Sequence, residues 1–273
     1  MKITATEVND LRKSTGAGMM DCKKALVEAN GDHEKAVEIL RKKGQKVAAN
    51  RAERDSSEGI VLLKVNEDKS EGVIISLNCE TDFVAKNNDF INFANEILDI
   101  AENVNTIEDL LNIKVGDLCL SDKLIEQTGI IGEKIEIGNF QKLSGNYIGG
   151  YVHAGNKIAA MVALSNSTQI SEEISKNVAM QVAAMNPLAL NENSVDASIV
   201  EKETEIIKEQ LIKEGRPENI IDNIIDGKLK RFYKDNTLVN QSYIKESKIS
   251  VEDYVKSTDK DLSITSFVRV SLV

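Results

Sequence analysis

Cysteine, proline and histidine are all scarce in this 273-residue chain, at three, two and two residues. Cys22, Cys79 and Cys119 are an odd number with no CxxC spacing, which argues against a disulfide framework or a zinc knuckle and for a cytoplasmic setting. Only Pro187 and Pro217 are present, and 41% of residues are hydrophobic and 29% charged. That balance argues against collagen-like, disordered and coiled-rod chains. No apolar run reaches the roughly 18 residues of a membrane span, and the opening MKITATEVND carries acids where a signal or transit peptide would not. Neither membrane insertion nor export is expected.

Reactive groups are equally sparse. His33 and His153 fall on different expected domains and form no HExxH pair; GxxxxGK[ST] and GxSxG are absent. Gly16 and Gly18 are not followed by the third glycine of a dinucleotide loop. Acid pairs are expected by chance in a chain with 44 acidic residues. No metal, no cofactor and no side-chain catalysis are therefore expected.

Positive charge is in deficit, with 34 Lys and Arg against 44 Asp and Glu, a net charge of −10. Residues 1–55 hold 12 basic and 9 acidic residues, so a weakly basic head precedes an acidic body. The run Arg41, Lys42, Lys43, Lys46, Arg51, Arg54 reads as a solvated helix end and linker before it reads as a nucleic-acid contact, because the acidic body repels a polyanion.

At about twice the commonest domain size, the chain has room for more than one unit. Its first 43 residues read as three short helices. Thr4 with Glu7 forms a capping box, Met19 to Ala29 follows the Gly16–Gly18 break, and Asp32 caps a third helix with Gly44 as its stop. Ala36, Val37, Ile39 and Leu40 are expected to face inward, and the polar stretch 45–58 reads as a tether. Beyond it the hydrophobic period changes from 3.6 to 2. Strands at Gly59–Val65 and Gly72–Asn78 form a hairpin, followed by a helix at Asn88–Glu102 with apolar residues at Phe90, Phe93, Ala94, Ile97, Leu98 and Ala101. The same order recurs with strands at Tyr147–Val152 and Lys157–Leu164 and a helix at Ser171–Met185, which reads as an internal duplication. Short helices at Ile107–Asn112 and Asp122–Gln127 and a strand near Lys134–Leu143 lie between the two. Val195–Lys213 and Pro217–Tyr233 form a helical hairpin, and a final strand at Ser263–Leu272 is expected to return to the second sheet.

Three stretches stand out from this scaffold. Met19 and Met20 adjoin a flexible turn, and neighbouring helical residues do not share a face, so at least one should be partly exposed; the alternative is that both pack into the small bundle. Asp82 and Phe83 sit in the loop between a strand end and the amphipathic helix, where functional residues commonly lie, although a loop phenylalanine also staples helices to sheets. Tyr147–Asn156 places Tyr151 and His153 among small residues that allow another chain to approach closely; a hairpin with a buried histidine is the plainer reading.

LRKSTGAGMMDCKKALVEANGDHEKA (Leu11 to Ala36), NCETDFVAKNNDF (Asn78 to Phe90) and YVHAGNKIAAMVAL (Tyr151 to Leu164) resemble, in the same order, the signature segments of bacterial translation elongation factor Ts. The resemblance covers nearly the whole chain. It implies an α+β fold: a small three-helix, ubiquitin-associated-like N-terminal domain with linker (1–55), then a core of two related hairpin-plus-helix subdomains with antiparallel sheets, N (56–143) and C (144–273). A helical hairpin at 194–233 protrudes from the second.

By the same resemblance the chain is a guanine-nucleotide exchange factor. It would bind elongation factor Tu, GDP-bound and nucleotide-free, and promote GDP release and GTP reloading, without nucleic-acid or membrane contact. Asp82 and Phe83, flanked by Thr81 and Val84, are similar to the segment that approaches the magnesium and phosphate site of the partner. Arg12, Met19 and Met20 resemble the surface that grips a helix of its nucleotide domain, and His153 a residue that reaches one of its β-barrel domains. In some members the helical hairpin dimerises, which leaves a homodimer open. Many members continue into a C-terminal helix that touches the nucleotide domain; this chain stops at Val273, and no contribution from that module is expected. Around His153 the chain reads AGNKIAA where a glycine-richer turn is common. The competing class is a non-catalytic peptide or ubiquitin-like binding module built on the three-helix domain.

Overall fold

A computed structural model describes residues 3–272. Helix α1 (Ala5–Thr15) starts at a capping box, the Thr4 hydroxyl accepting from the Glu7 N–H while the Glu7 carboxylate accepts from the Thr4 N–H. It stops at Gly16, whose φ of 70° is left-handed. Helix α2 (Met19–Glu28) turns Cys22, Ala25 and Leu26 inward, and α3 (His33–Arg51) is capped by Asp32. These helices close over Val8, Leu11, Leu26 and Ala36, with Val37, Ile39 and Leu40 packed against them.

The chain continues through β1 (Glu58–Val65), β2 (Glu71–Cys79), the one-turn helix α4 (Asp82–Ala85) and α5 (Asn88–Ala101). All six apolar residues expected to form the α5 stripe are buried. Then come α6 (Ile107–Asn112), a two-residue hairpin of β3 (Lys114–Val115) and β4 (Leu118–Cys119), α7 (Leu120–Ile131) and β5 (Glu136–Ser144), giving a sheet of order β1-β2-β5. Helix α7 is longer than expected at both ends and stops at Gly132, with a φ of 82°.

Next follow β6 (Tyr147–Val152), β7 (Ile158–Leu164) and α8 (Ser171–Met185), a 3-10 turn at Glu192–Ser194, and the helices α9 (Ala197–Lys213) and α10 (Glu218–Asn236). The chain ends with β8 (Ser242–Tyr243), β9 (Glu246–Ser250), α11 (Val251–Thr258) and β10 (Ile264–Ser271). The final strand returns to the second sheet as expected, pairing antiparallel with β7 so that Val268 opposes Met161, in the order β6-β7-β10. Ala160, Val162 and Leu164 of β7 share a core with Ile174, Val178 and Val182 of α8. Helices α9 and α10 bury a separate cluster, Ile207, Leu211, Ile221 and Ile225. The β8–β9 hairpin, which the sequence pattern does not signal, is tied to α8 by buried Gln181. That side chain donates to Gln241 and accepts from the Ile244 N–H at 2.8 Å. Leaving such buried amides unpaired would cost more than the bonds return.

The described residues divide into two compact units. One runs up to Leu62 and includes Ile75–Phe140 and Leu272; the other comprises Leu63–Ile74 and Gln141–Ser271.

Two glycine readings are corrected. Gly44 does not stop α3; the helix runs seven residues further, to Arg51, so residues 45–51 are helix rather than tether. Gly44 is the point where α3 meets α7, and a Cβ on Gly129 would lie 2.4 Å from the Gly44 Cα. A mid-helix glycine costs about 1 kcal/mol in helix propensity, and here the close approach of two backbones offsets it. The small residues of β6 likewise serve this chain's own packing: a Cβ on Gly149 would lie 1.9 Å from the Ser175 Oγ of α8.

Candidate protein-binding site

Thr81, Asp82, Phe83 and Val84 lie together at the start of α4, at the end of the buried strand β2. Phe83 is 83% exposed. It therefore does not staple α5 to a sheet. An isolated turn of helix is not stable alone, and α4 has only one buried residue, Ala85, and three backbone bonds of 2.9–3.2 Å closing its turn. What fixes it is the pair of residues before it. The Thr81 hydroxyl and N–H donate to the two carboxylate oxygens of Glu133 at 2.7 and 3.0 Å. Glu80 accepts from the Lys134 N–H at 2.7 Å and from Arg51 Nη1 at 2.7 and 2.8 Å. Asp82 accepts from Lys86 at 2.6 Å, which raises the ammonium's pKa.

Burial by itself would raise the Glu80 carboxyl. The Lys134 N–H and the Arg51 guanidinium outweigh it and hold the group below its ordinary 4.5. A depressed folded-state value adds stability that is complete above about pH 4.5 and is lost as pH falls through the lower value. Glu80→Gln is accordingly expected to lower the thermal midpoint at pH 7 and to flatten its fall below pH 4.5. Parallel acid titrations of the two proteins by circular dichroism check this, and midpoints falling in step would contradict it.

Both methionines are exposed, Met19 at 60% and Met20 at 62%, so neither packs into the bundle. With Ile3, Thr6, Val8 and Asn9 of the neighbouring segment they line an open groove of about 750 Å³. Exposed Arg12 lies outside that lining but continues its α1 stripe, three residues after Asn9 and four after Val8. A second cleft, of about 700 Å³, joins the end of α1 at Ser14–Gly16 to Val84, Phe90 and Phe93 and to Ile130 of α7.

His153 lies in the other unit, at the end of β6, and is exposed rather than buried. Its N–H donates to the Ile158 carbonyl at 2.8 Å, and Tyr151 Oη lies 3.1 Å from its Nδ1. The turn beyond it uses Gly155 and Asn156 at φ values of 89° and 54°.

Sequence spacing does not single out Glu80 or Glu133, and it reads Arg51 as part of a solvated basic run, whereas its part-buried guanidinium is bound to Glu80. Glu133 is 52 residues from Thr81, and only the glycine that ends α7 marks its neighbourhood. Among the described residues no group of His, Cys, Asp and Glu could hold a metal ion, and no helix is long and apolar enough to cross a membrane.

A solvent-facing phenyl ring on a pinned turn of helix and an exposed methionine pair beside a groove are features that suit a protein-binding surface. Residues 80–273 match the family model described as Elongation factor TS. Curated proteins named Elongation factor Ts are similar over nearly their full lengths. That of Christiangramia forsetii is 60% identical, covering 99% of each chain; that of Flavobacterium psychrophilum is 57% identical, covering 99% of this chain and 98% of its own. A third, from Amoebophilus asiaticus, is 45% identical over 99% of both. The chain belongs to the elongation factor Ts family.

Proposed function

We propose that the chain accelerates nucleotide exchange by wedging Phe83 beside the magnesium and phosphate site of elongation factor Tu while separate surfaces hold the partner. As a member of its family it is a guanine-nucleotide exchange factor of translation elongation, with elongation factor Tu as its partner. The observation that carries the wedge is the 83% exposure of Phe83 on a turn of helix pinned by Glu133. Thr81, Asp82 and Val84 form its flanks. Arg12, Met19 and Met20 grip a helix of the nucleotide domain, and His153 meets a β-barrel domain.

The energetics call for several surfaces. Speeding release by, say, 10³ to 10⁵ requires roughly 4–7 kcal/mol of differential stabilisation at the exit barrier. Burying one phenylalanine contributes about 1.5–3 kcal/mol. The wedge therefore supplies part of the discrimination, and the grips supply alignment and affinity. By linkage, a factor that favours the nucleotide-free partner weakens nucleotide binding by the same ratio. No bond is made or broken, and no cofactor is called for. The factor would take the GDP-bound partner, pass through the nucleotide-free complex and let GTP reload.

The two sheets support a core of two related halves, 56–143 and 144–273. Each is a hairpin followed by a helix, with a later strand added beside the hairpin's second strand. Residues 1–55 form the headpiece in this reading. The helical hairpin at 194–233 carries exposed Ile199, Ile206, Ile212 and Ile220, and in this reading a homodimer through it stays open. The net charge of −10 supports an account without direct nucleic-acid contact.

Because both methionines are exposed, Met19→Asp/Met20→Asp should leave folding intact and weaken affinity for nucleotide-free elongation factor Tu by about 10- to 100-fold. A calorimetric titration checks this, and undiminished affinity would remove the headpiece grip.

A further inference from the structure

We propose that Glu133 is the positioning residue of the wedge: its carboxylate holds Thr81 at two points and so sets the attitude of α4 and of the Phe83 ring. This rests on the reading of Phe83 given above and identifies what aims it.

Little of α4 is self-supporting. The helix is four residues long, and Thr81, in its N-cap position, makes no side-chain capping bond. In the usual N-cap the hydroxyl accepts from an N–H one turn on. Here that hydroxyl points the other way and donates to Glu133 Oε1, while the Thr81 N–H donates to Oε2. Both oxygens of one carboxylate are thus spent on a single residue, and bonds to an ionised acceptor are the strong kind. Two contacts fix an orientation where one would allow rotation.

The neighbouring residues repeat the arrangement in reverse. The Glu133 side chain takes the main-chain N–H of Thr81, and the Glu80 side chain takes the main-chain N–H of Lys134. Residues 80–81 and 133–134 are thereby cross-strapped, and Arg51 at the end of α3 closes the far side of Glu80. Glu133 directly follows Gly132, the left-handed stop of α7, in the short connection to β5. Glu133 and Thr81 are half-buried, whereas the Phe83 ring is almost wholly in solvent. With the Phe83 side chain 83% exposed, little packing aims it, and its direction is inherited from Thr81.

The test is stopped-flow release of fluorescent GDP from elongation factor Tu, run over a range of concentrations of the full chain. The variants are Glu133→Ala, Glu133→Gln, Phe83→Ala and the double variant Glu133→Ala/Phe83→Ala, each with its thermal midpoint. Glu133→Ala should lower the maximal release rate roughly 5- to 10-fold while the half-saturating concentration changes little, and loss of the two bonds should lower the midpoint by only a few degrees. Glu133→Gln, whose amide can accept from the Thr81 N–H and donate to its hydroxyl, should recover most of the rate lost in Glu133→Ala. In the double variant, loss of Glu133 should cost nothing beyond loss of the ring, an outcome that a merely structural role would not produce. Glu133→Ala at the wild-type rate beside a slowed Phe83→Ala would overturn the positioning role alone, as would losses that simply add. A wild-type rate for Phe83→Ala would overturn the wedge itself, and this proposal with it.

Discussion

Phe83→Ala is expected to slow GDP release from elongation factor Tu at least about 10-fold at saturating concentration, with a smaller loss of affinity for the nucleotide-free partner. The side chain is 83% exposed in the free protein, so its removal leaves no cavity, and the change in folding stability should stay within about 0.5 kcal/mol. A tenfold rate loss corresponds to about 1.4 kcal/mol, at the lower edge of what burying a phenyl ring contributes. Phe83→Leu should fall between the two, because it keeps apolar volume but loses the flat ring. Stopped-flow release measured beside equilibrium titration separates the kinetic effect from the affinity effect. An affinity loss that matched the rate loss would make Phe83 an anchor instead of a wedge.

The second large effect concerns the fold beneath the wedge. Gly129→Val should destabilise the protein by about 3 kcal/mol and loosen the partner grip. Even a methyl group there would stand 2.4 Å from the Gly44 Cα, a backbone atom that moves only if α3 moves. Arg51, at the end of α3, would be drawn away from Glu80, so damage at the helix crossing should reach the mount of α4. Gly227 provides the control: it lies in α10 with nothing within 4 Å of a built Cβ, and Gly227→Ala should be neutral or stabilising by up to about 1 kcal/mol. Urea unfolding of both variants checks the contrast. Equal, small effects would mean that α3 and α7 have room to separate.

What was legible in the sequence follows from what is local. The α5 stripe, the Thr4–Glu7 capping box and the Asp32 cap each depend on residues within a few turns of one another, and all appear in the structure. Gly44 was misleading because a glycine that ends a helix and one that admits a second helix look alike along the chain; only Gly129, 85 residues on, distinguishes them. The hairpin β8–β9 was missed because its strands are two and five residues long and their apolar content is low. At the proposed wedge, the pattern singles out Asp82 and Phe83 and leaves the ring's exposure open, while Thr81 and Val84 enter with the family resemblance. The acceptors that pin it, Glu80 and Glu133, follow strand and helix ends whose meeting is a tertiary event. The exposed positions of Met19, Met20 and His153 settled readings that spacing alone had left as alternatives.

The most direct measurement is the release of fluorescent GDP from elongation factor Tu with and without this protein, chased by excess unlabelled nucleotide. The account predicts release faster by orders of magnitude, rising to saturation with the protein's concentration and cut back about 10-fold or more by Phe83→Ala. Release at the spontaneous rate despite complex formation would contradict it.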